Sequence, residues 1–406
     1  MLLRFLSKFL DILLILKNSN FNFDLIKVKN KKVIIFDRYS EKVLSSIFSK
    51  EDIFILDINS EGRKIKELYL NYKIIINLII EIFNKNLKLC YYTALIKTIN
   101  PKLVITSIDN DFNFYELSKV FKNKIKFIAV QSSYRDISGY SQKKIEQIYL
   151  DHYFCFGNQT VEHYKDMGAN IQNYYLTGSI TLALAENDYS DYIKKNSVEK
   201  FDIALISENP PLPTDPVRAE RLKSLKKIAE NVNSISIEKN FKVIILIKRD
   251  SRSSSGADEV NFYKEIFKNN KNVSFSDNTL DKYINYYHAF NSEVVVGSRS
   301  TLLLEVFSKE KKIVICNYKQ NANLLKNGSK KFNRYAELNP LIDKKNFFSL
   351  NDDNYKDFKN KFLEIYHMNK KDFLNLAEDL NKYMLFYDKS DSIAQIKEKI
   401  GEICEK

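Results

Sequence analysis

Short apolar runs alternate with longer segments of helical period along most of the chain. In the first half the strand candidates are residues 32–37, 53–58, 102–108, 124–131, 152–157 and 174–179. Nearly all are apolar throughout, as strands covered on both faces of a parallel sheet should be. Helical patterns separate them, the longest over residues 61–99, where Asn100-Pro101 ends the run. A polar stretch, ENDYSDYIKKNSVEK at 186–200, interrupts the rhythm. The alternation then restarts, with strand candidates at 202–207, 242–248, 273–276, 293–298 and 312–317 and helical patterns at 217–239, 258–269, 279–290 and 300–309. The pattern predicts two doubly wound, Rossmann-like α/β domains facing a cleft. The first spans 1–185, a linker 186–200, the second 201–350, and a helical tail 351–406.

Composition adds limits. With 44% hydrophobic and 13% aromatic residues in 406, the chain has enough apolar surface for two cores and is not of disordered type. The net charge of +13 suits nucleic acid, an anionic membrane or phosphorylated substrates. No zinc-ligand spacing, aromatic RNA-binding signature or sustained basic helix accompanies it, which argues against nucleic acid. Four scattered cysteines suggest neither a disulfide framework nor a metal knuckle, and point to a reducing, cytoplasmic setting. The opening MLLRFLSKFLDILLILK is too short and interrupted to span a bilayer. Two readings stay open for it: a helix lying on the membrane surface, with the protein peripheral at its cytoplasmic face, or one packed on its own domain.

Ligands of open parallel sheets bind beyond the carboxyl ends of the strands, so residues directly after each strand carry most weight. The clearest such end is EVVVGSRSTLLLEVFSK, where Gly297 permits a tight reversal, Ser298 or Ser300 can cap the helix, and the open helix end suits a phosphate. Glu305 lies four residues after Thr301 on the same helix face, where a carboxylate can accept from ribose hydroxyls. An ordinary capped helix fits this spacing equally well. In LISENPPLPTDP, four prolines stiffen the loop that carries Ser207 and Glu208. Lys248 and Arg249 close another strand, and Asp109 and Asp111 follow a third.

The segment DKYINYYHAFNSEVVVGSRSTLLLEVFSKEKKIVICN resembles the donor half of bacterial glycosyltransferases of the two-domain GT-B type. DHYFCFGNQTVEHYKDMGANIQNYYLTGSI resembles their interdomain crossing, and residues 100–136 are similar to uncharacterised surface-carbohydrate biosynthesis proteins of that superfamily. Together these pieces cover about half the chain, roughly residues 100–320. The resemblance implies transfer of a sugar from a nucleotide-activated donor to a surface-glycan or lipid-linked acceptor, in polysaccharide or lipopolysaccharide assembly, without metal or cofactor. Lys248, Arg249, the turn Gly297, Ser298, Arg299, Ser300, Thr301 and Glu305, together with Ser207 and Glu208, would grip the donor. Gln131, Ser132 and Arg135 would meet the acceptor, and Asp109, Asp111 or Asp136 would take its proton. Both Asp109 and Asp111 can instead cap the following helix. Two departures stand out: AVQSS lacks the histidine many relatives carry after that strand, and LIKRD replaces their His-Pro. Alternatives within enzymes are a polyol-phosphate transferase using a CDP-activated donor and a sugar-nucleotide epimerase; outside them, a nucleotide- or carbohydrate-binding protein without chemistry.

Overall fold

The computed structural model describes residues 20–22, 31–45, 47–56, 58–59, 64–65, 67–81, 87–134, 145–196, 199–208, 210, 216–298, 300–318, 347–385 and 392–405. The first sheet contains β1 (Val33–Ile35), β2 (Ile53–Ile55), β3 (Leu103–Thr106), β4 (Lys126–Val130), β5 (Tyr149–Cys155) and β6 (Asn170–Leu176). Their spatial order is β6-β5-β4-β3-β1-β2. The second contains β7 (Phe201–Ile206), β8 (Val243–Leu246), β9 (Val273–Phe275), β10 (Ser292–Gly297), β11 (Lys312–Cys316) and β12 (Ser349–Leu350), ordered β9-β8-β7-β10-β11-β12. Every neighbouring pair in both sheets is parallel. The strand order turns around at β1/β3 and at β7/β10, the switch points where doubly wound sheets open a crevice.

The helices of the first half are α1 (Arg38–Leu44), α2 (Tyr72–Glu81), α3 (Leu87–Ile99), α4 (Phe112–Val120), α5 (Asn158–Asp166) and α6 (Ile180–Lys195). Those of the second half are α7 (Pro216–Lys239), α8 (Ser254–Ile266), α9 (Ile284–Phe290), α10 (Thr301–Ser308), α11 (Tyr355–His367), α12 (Lys370–Met384) and α13 (Ser392–Glu405). Among the described residues no helix is long and apolar enough to cross a membrane. The opening segment lies outside them.

Two expectations change. The long helical pattern of 61–99 begins with strands, Lys64–Ile65 antiparallel to Ile58–Asn59 and Glu67–Tyr69 parallel to Asn20–Asn22. Asn71 then starts α2 afresh, its Oδ1 accepting from the Ile74 N–H at 2.9 Å. The polar stretch expected as a linker is helical through Lys195 as part of α6. It packs rather than merely connects: Tyr189 and Tyr192 lie against Tyr287 of α9 and the Asn291 amide donates to the Tyr189 hydroxyl at 2.6 Å, while earlier in the same helix Ile180 packs in the core of the first sheet and Leu182 in a core with β7 and β10 residues.

The C-terminal helices are also structural parts of both halves. Phe358, Phe362 and Ile365 of α11 fill the core of the second sheet. Phe373, Ala377, Leu380 and Met384 of α12 meet Phe156 and Leu182 at the junction. Ile396, Ile400 and Ile403 of α13 pack with Val33, Ile35 and Ile105 of the first sheet. Gly157 makes this return possible: a Cβ there would sit 2.6 Å from the Tyr383 carbonyl oxygen and 2.8 Å from that of Met384. Gly157→Ala should therefore lower stability by about 1–3 kcal/mol through overpacking. Gly401→Ala, mid-helix with nothing within 4 Å of its would-be Cβ, should raise it by about 0.5–1 kcal/mol. Denaturant unfolding of the two variants checks the contrast.

Candidate functional site

The carboxyl ends of both sheets meet at a cleft of about 410 Å³. Tyr39, Ser132, Ser133 and Tyr134 line it from the first half and Thr181 from α6. Ser207, Glu208, Arg221, Lys248, Tyr286 and the start of α10 line it from the second. The halves touch directly here, where the Tyr134 N–H donates to Thr301 Oγ1 at 3.0 Å.

Glu305 sits at the back of the cleft, one turn inside α10 and only 1% exposed. Ser179, the cap of α6, donates to its Oε1, and the Tyr286 hydroxyl donates to Oε2 at 2.7 Å. Burial pushes its carboxyl up to about 7 and the two donors offset only part of the effect. The Tyr286 phenol is pushed upward as well, by burial first and by the neighbouring Glu305 next. A carboxylate has about four acceptor directions, so two donors leave room for ligand hydroxyls. Ser300, the cap residue of α10, makes no side-chain cap hydrogen bond. The first N–H groups of the helix thus gain no side-chain acceptor from Ser300, the situation in which an anion can serve as the cap.

Glu208 follows β7 and is buried beside this turn. It accepts from the Ser298 N–H at 2.8 Å, and Arg221 stands 3.9 Å from its other oxygen while donating to its backbone carbonyl at 3.0 Å. Gly297 ends β10 within the strand; a Cβ there would be 3.4 Å from Ile206, ordinary contact, so it is no conformational hinge. Ser207 donates to Glu259 of α8. The same carboxylate accepts from the N–H groups of Lys248 and Arg249, each at 3.0 Å. Glu259 thereby fixes the strand end that presents Lys248 to the cleft, a role hidden in the sequence because it lies eleven residues away on a helix. Arg249 is exposed and does not line the cleft.

On the first half the expected bases are engaged elsewhere. Asp111 is the cap of α4, accepting from the Asn113 N–H at 2.9 Å. Asp109 accepts from the Tyr153 hydroxyl at 2.8 Å, and its carbonyl from Tyr115. Both are buried and neither lines the cleft. Gln131 is structural too, bridging the Phe156 N–H at 2.8 Å and the Ser133 carbonyl at 3.0 Å. Ser132 lines the cleft as expected. Arg135, Asp136 and Arg299 lie outside the described residues. Tyr39, Tyr286 and Ser179 were not among the expected site residues. Tyr39 follows the first strand closely and Ser179 ends the sixth strand candidate, so position after a strand was the signal available for both. Tyr286 carried none.

The raised Glu305 carboxyl has a definite stability consequence. Between about pH 4.5, where an unfolded glutamate ionises, and about 7, the folded state holds more protons than the unfolded one. Stability contributed by this group therefore falls as pH rises through that window. Glu305→Gln should gain on the wild type over the same interval, by on the order of 3 kcal/mol in total. Denaturant midpoints of both proteins from pH 4.5 to 8 measure it, and a constant difference would refute the assignment.

No family model and no curated protein sequence matches the chain. Solved structures do. The UDP-GlcNAc 2-epimerase of Neisseria meningitidis bound to UDP-GlcNAc superposes with TM-score 0.54 at 9% identity, over 91% of this chain and 99% of that one. The Methanocaldococcus jannaschii UDP-GlcNAc 2-epimerase in complex with UDP-GlcNAc and UDP gives 0.54 at 13%, over 91% and 99%. The wall teichoic acid polymerase TagF gives 0.51 at 10%, over 92% and 89%. Likeness at such identities is likeness of fold: the chain shares with these proteins a GT-B-like architecture of two Rossmann-like domains.

Proposed function

We propose that the protein is a glycosyltransferase that takes a sugar from a nucleotide-activated donor. The observation that carries the reading is the combination in one cleft of buried Glu305, the uncapped start of α10 and the Lys248 side chain. Glu305 would accept from the ribose hydroxyls. Ser300, Thr301 and the α10 N-terminus would hold the diphosphate, with Lys248 supplying positive charge. The acceptor would enter past Tyr39, Ser132 and Ser133. Its hydroxyl oxygen bonds to the anomeric carbon as the bond from that carbon to phosphate oxygen breaks, the electron pair leaves with the nucleotide, and a carboxylate takes the proton. Among the described residues the cleft-lining carboxylates are Glu208 and Glu305; with Glu305 assigned to the ribose, Glu208 would take the proton. The acceptor would be a surface glycan or a lipid-linked saccharide, in keeping with the net charge of +13.

A second reading is sugar-nucleotide epimerisation. It is favoured by the UDP-GlcNAc-bound epimerases that superpose over nearly their whole length, and it needs no acceptor.

Thermal unfolding with UDP, GDP, CDP, CMP and dTDP is the first test. A nucleotide at about a hundred times its dissociation constant should add roughly 2.7 kcal/mol, and Ser300→Ala and Glu305→Gln should blunt the rise. If no nucleotide stabilises the wild type, the donor site is refuted. Conversion of UDP-GlcNAc without acceptor selects the epimerase; binding with no turnover on any acceptor selects a binding protein. Glu208→Gln should cut kcat by about 100-fold or more with nucleotide binding intact. Loss of binding instead would move Glu208 into the donor grip.

A further inference from the structure

Helix α2 is apolar on the side that meets the fold and again on the side that meets solvent. Ile74 is buried, Leu78 packs against the first core, and Asn77 donates to Thr98 Oγ1 of α3 at 3.2 Å. Outward stand Tyr72, Ile75, Ile76, Ile79 and Ile80, each 44–61% exposed. Their i, i+3, i+4, i+7, i+8 spacing makes one continuous stripe. Scattered apolar residues on a surface need no explanation, whereas a contiguous patch marks a contact. The acid of the helix, Glu81, is turned inward and paired with Lys97 at 2.6 Å. Lys73 is exposed beside the Tyr72 ring. The stripe is thus apolar and aromatic, with positive charge at its border.

We propose that this stripe is the face by which the protein lies on an anionic lipid surface. An interfacial helix of this kind buries its apolar side at the headgroup boundary while flanking lysines meet anionic headgroups. The sequence carries a second apolar segment that suits the same surface. Residues 1–17 are apolar apart from Arg4, Ser7, Lys8, Asp11 and Lys17, and the short strand that follows them in sequence, Asn20–Asn22, pairs with Glu67–Tyr69 just ahead of α2. Stable membrane attachment takes two such signals, since one alone binds marginally. A second copy of the chain fits less well. A ten-residue helix about 15 Å long offers a few hundred Å² per copy, short of the roughly 600–1,000 Å² per partner that a specific protein interface buries. The stripe belongs to the half that would receive a lipid-linked acceptor, so the inference deepens that reading, but it does not depend on the donor chemistry.

The test uses the full-length protein without nucleotide, sedimented with vesicles of phosphatidylcholine alone or mixed with phosphatidylglycerol. Wild type should partition to the mixed vesicles and release as salt rises. The double variant Ile76→Asp, Ile79→Asp should partition at least about tenfold more weakly with an unchanged melting temperature. Wild type that ignores the mixed vesicles, or a variant that binds as well as wild type, overturns the proposal. So does wild type that self-associates in sedimentation velocity while the variant is monomeric, because the stripe is then covered by a second copy. Nucleotide stabilisation is measured separately, so failure of either idea leaves the other standing.

Discussion

A carboxylate buried at the seam between the halves is the contact on which the site depends. Glu305 comes from α10 of the second half, Ser179 from the segment that crosses between them, and Tyr286 from α9. Burying a carboxyl costs several kcal/mol unless donors surround it, so these three elements must stay together for the group to ionise at all. Ser179 also caps α6, accepting from the Leu182 N–H at 3.2 Å. The same hydroxyl therefore starts the crossing helix and orients the carboxylate. Ligand hydroxyls that donate to Glu305 would favour its ionised form, which couples binding to the same proton that governs the pH dependence of stability.

Carboxylates organise the other strand ends by the same principle. Backbone N–H groups just past a parallel strand have no ladder partner, and a side-chain acceptor satisfies them. Glu259 does this for Lys248 and Arg249 and Glu208 for Ser298, while Asp37, after β1, caps α1 by accepting from the Ser40 N–H at 2.6 Å. Asp37 also accepts from Thr106 at 2.9 Å, joining the ends of β1 and β3 beneath Tyr39. Burial pushes its carboxyl upward against these hydrogen bonds. Carboxylate acceptors directed at backbone N–H groups and hydroxyls thus hold the strand ends around the cleft. Glu208 differs from Glu259 in that it lines the open space and is near a cation, Arg221, which is what the proton-accepting role proposed for it would need.

Much of this was legible in the sequence. Strands covered on both faces must be apolar throughout, so the alternation of both halves could be read directly. Glu305 could be picked out because helix period ties it to Thr301 locally. What could not be read was set by distance along the chain. Ser179 reaches Glu305 across 126 residues, and nothing local marks the partnership. Asp109 and Asp111 both follow a strand and both can cap; only the fold decides that one caps α4 and the other holds Tyr153. The pattern of 61–99 is rich in Ile and Leu, and composition of that kind cannot separate strand from helix until Asn71 resets the backbone. The C-terminal helices are amphipathic whichever sheet they cover, so their return to the first half left no trace in their period.

That return constrains how the cleft can open. The chain crosses from the first half to the second through α6, and back between α12 and α13. The crossings are close in space: α13 packs against α6, and α12 against α5 through Gly157 and the Tyr383–Glu162 hydrogen bond. Two covalent links on one side leave a rotation about the line joining them as the motion that costs least. Such a rotation would separate Tyr134 from Thr301, the weaker tie across the cleft, before it disturbed Glu305, whose partners Ser179 and Tyr286 lie nearer the crossing. Residues 131–134 after β4 and the start of α10 would therefore be the edges to part for a ligand, with the buried carboxylate staying assembled behind them.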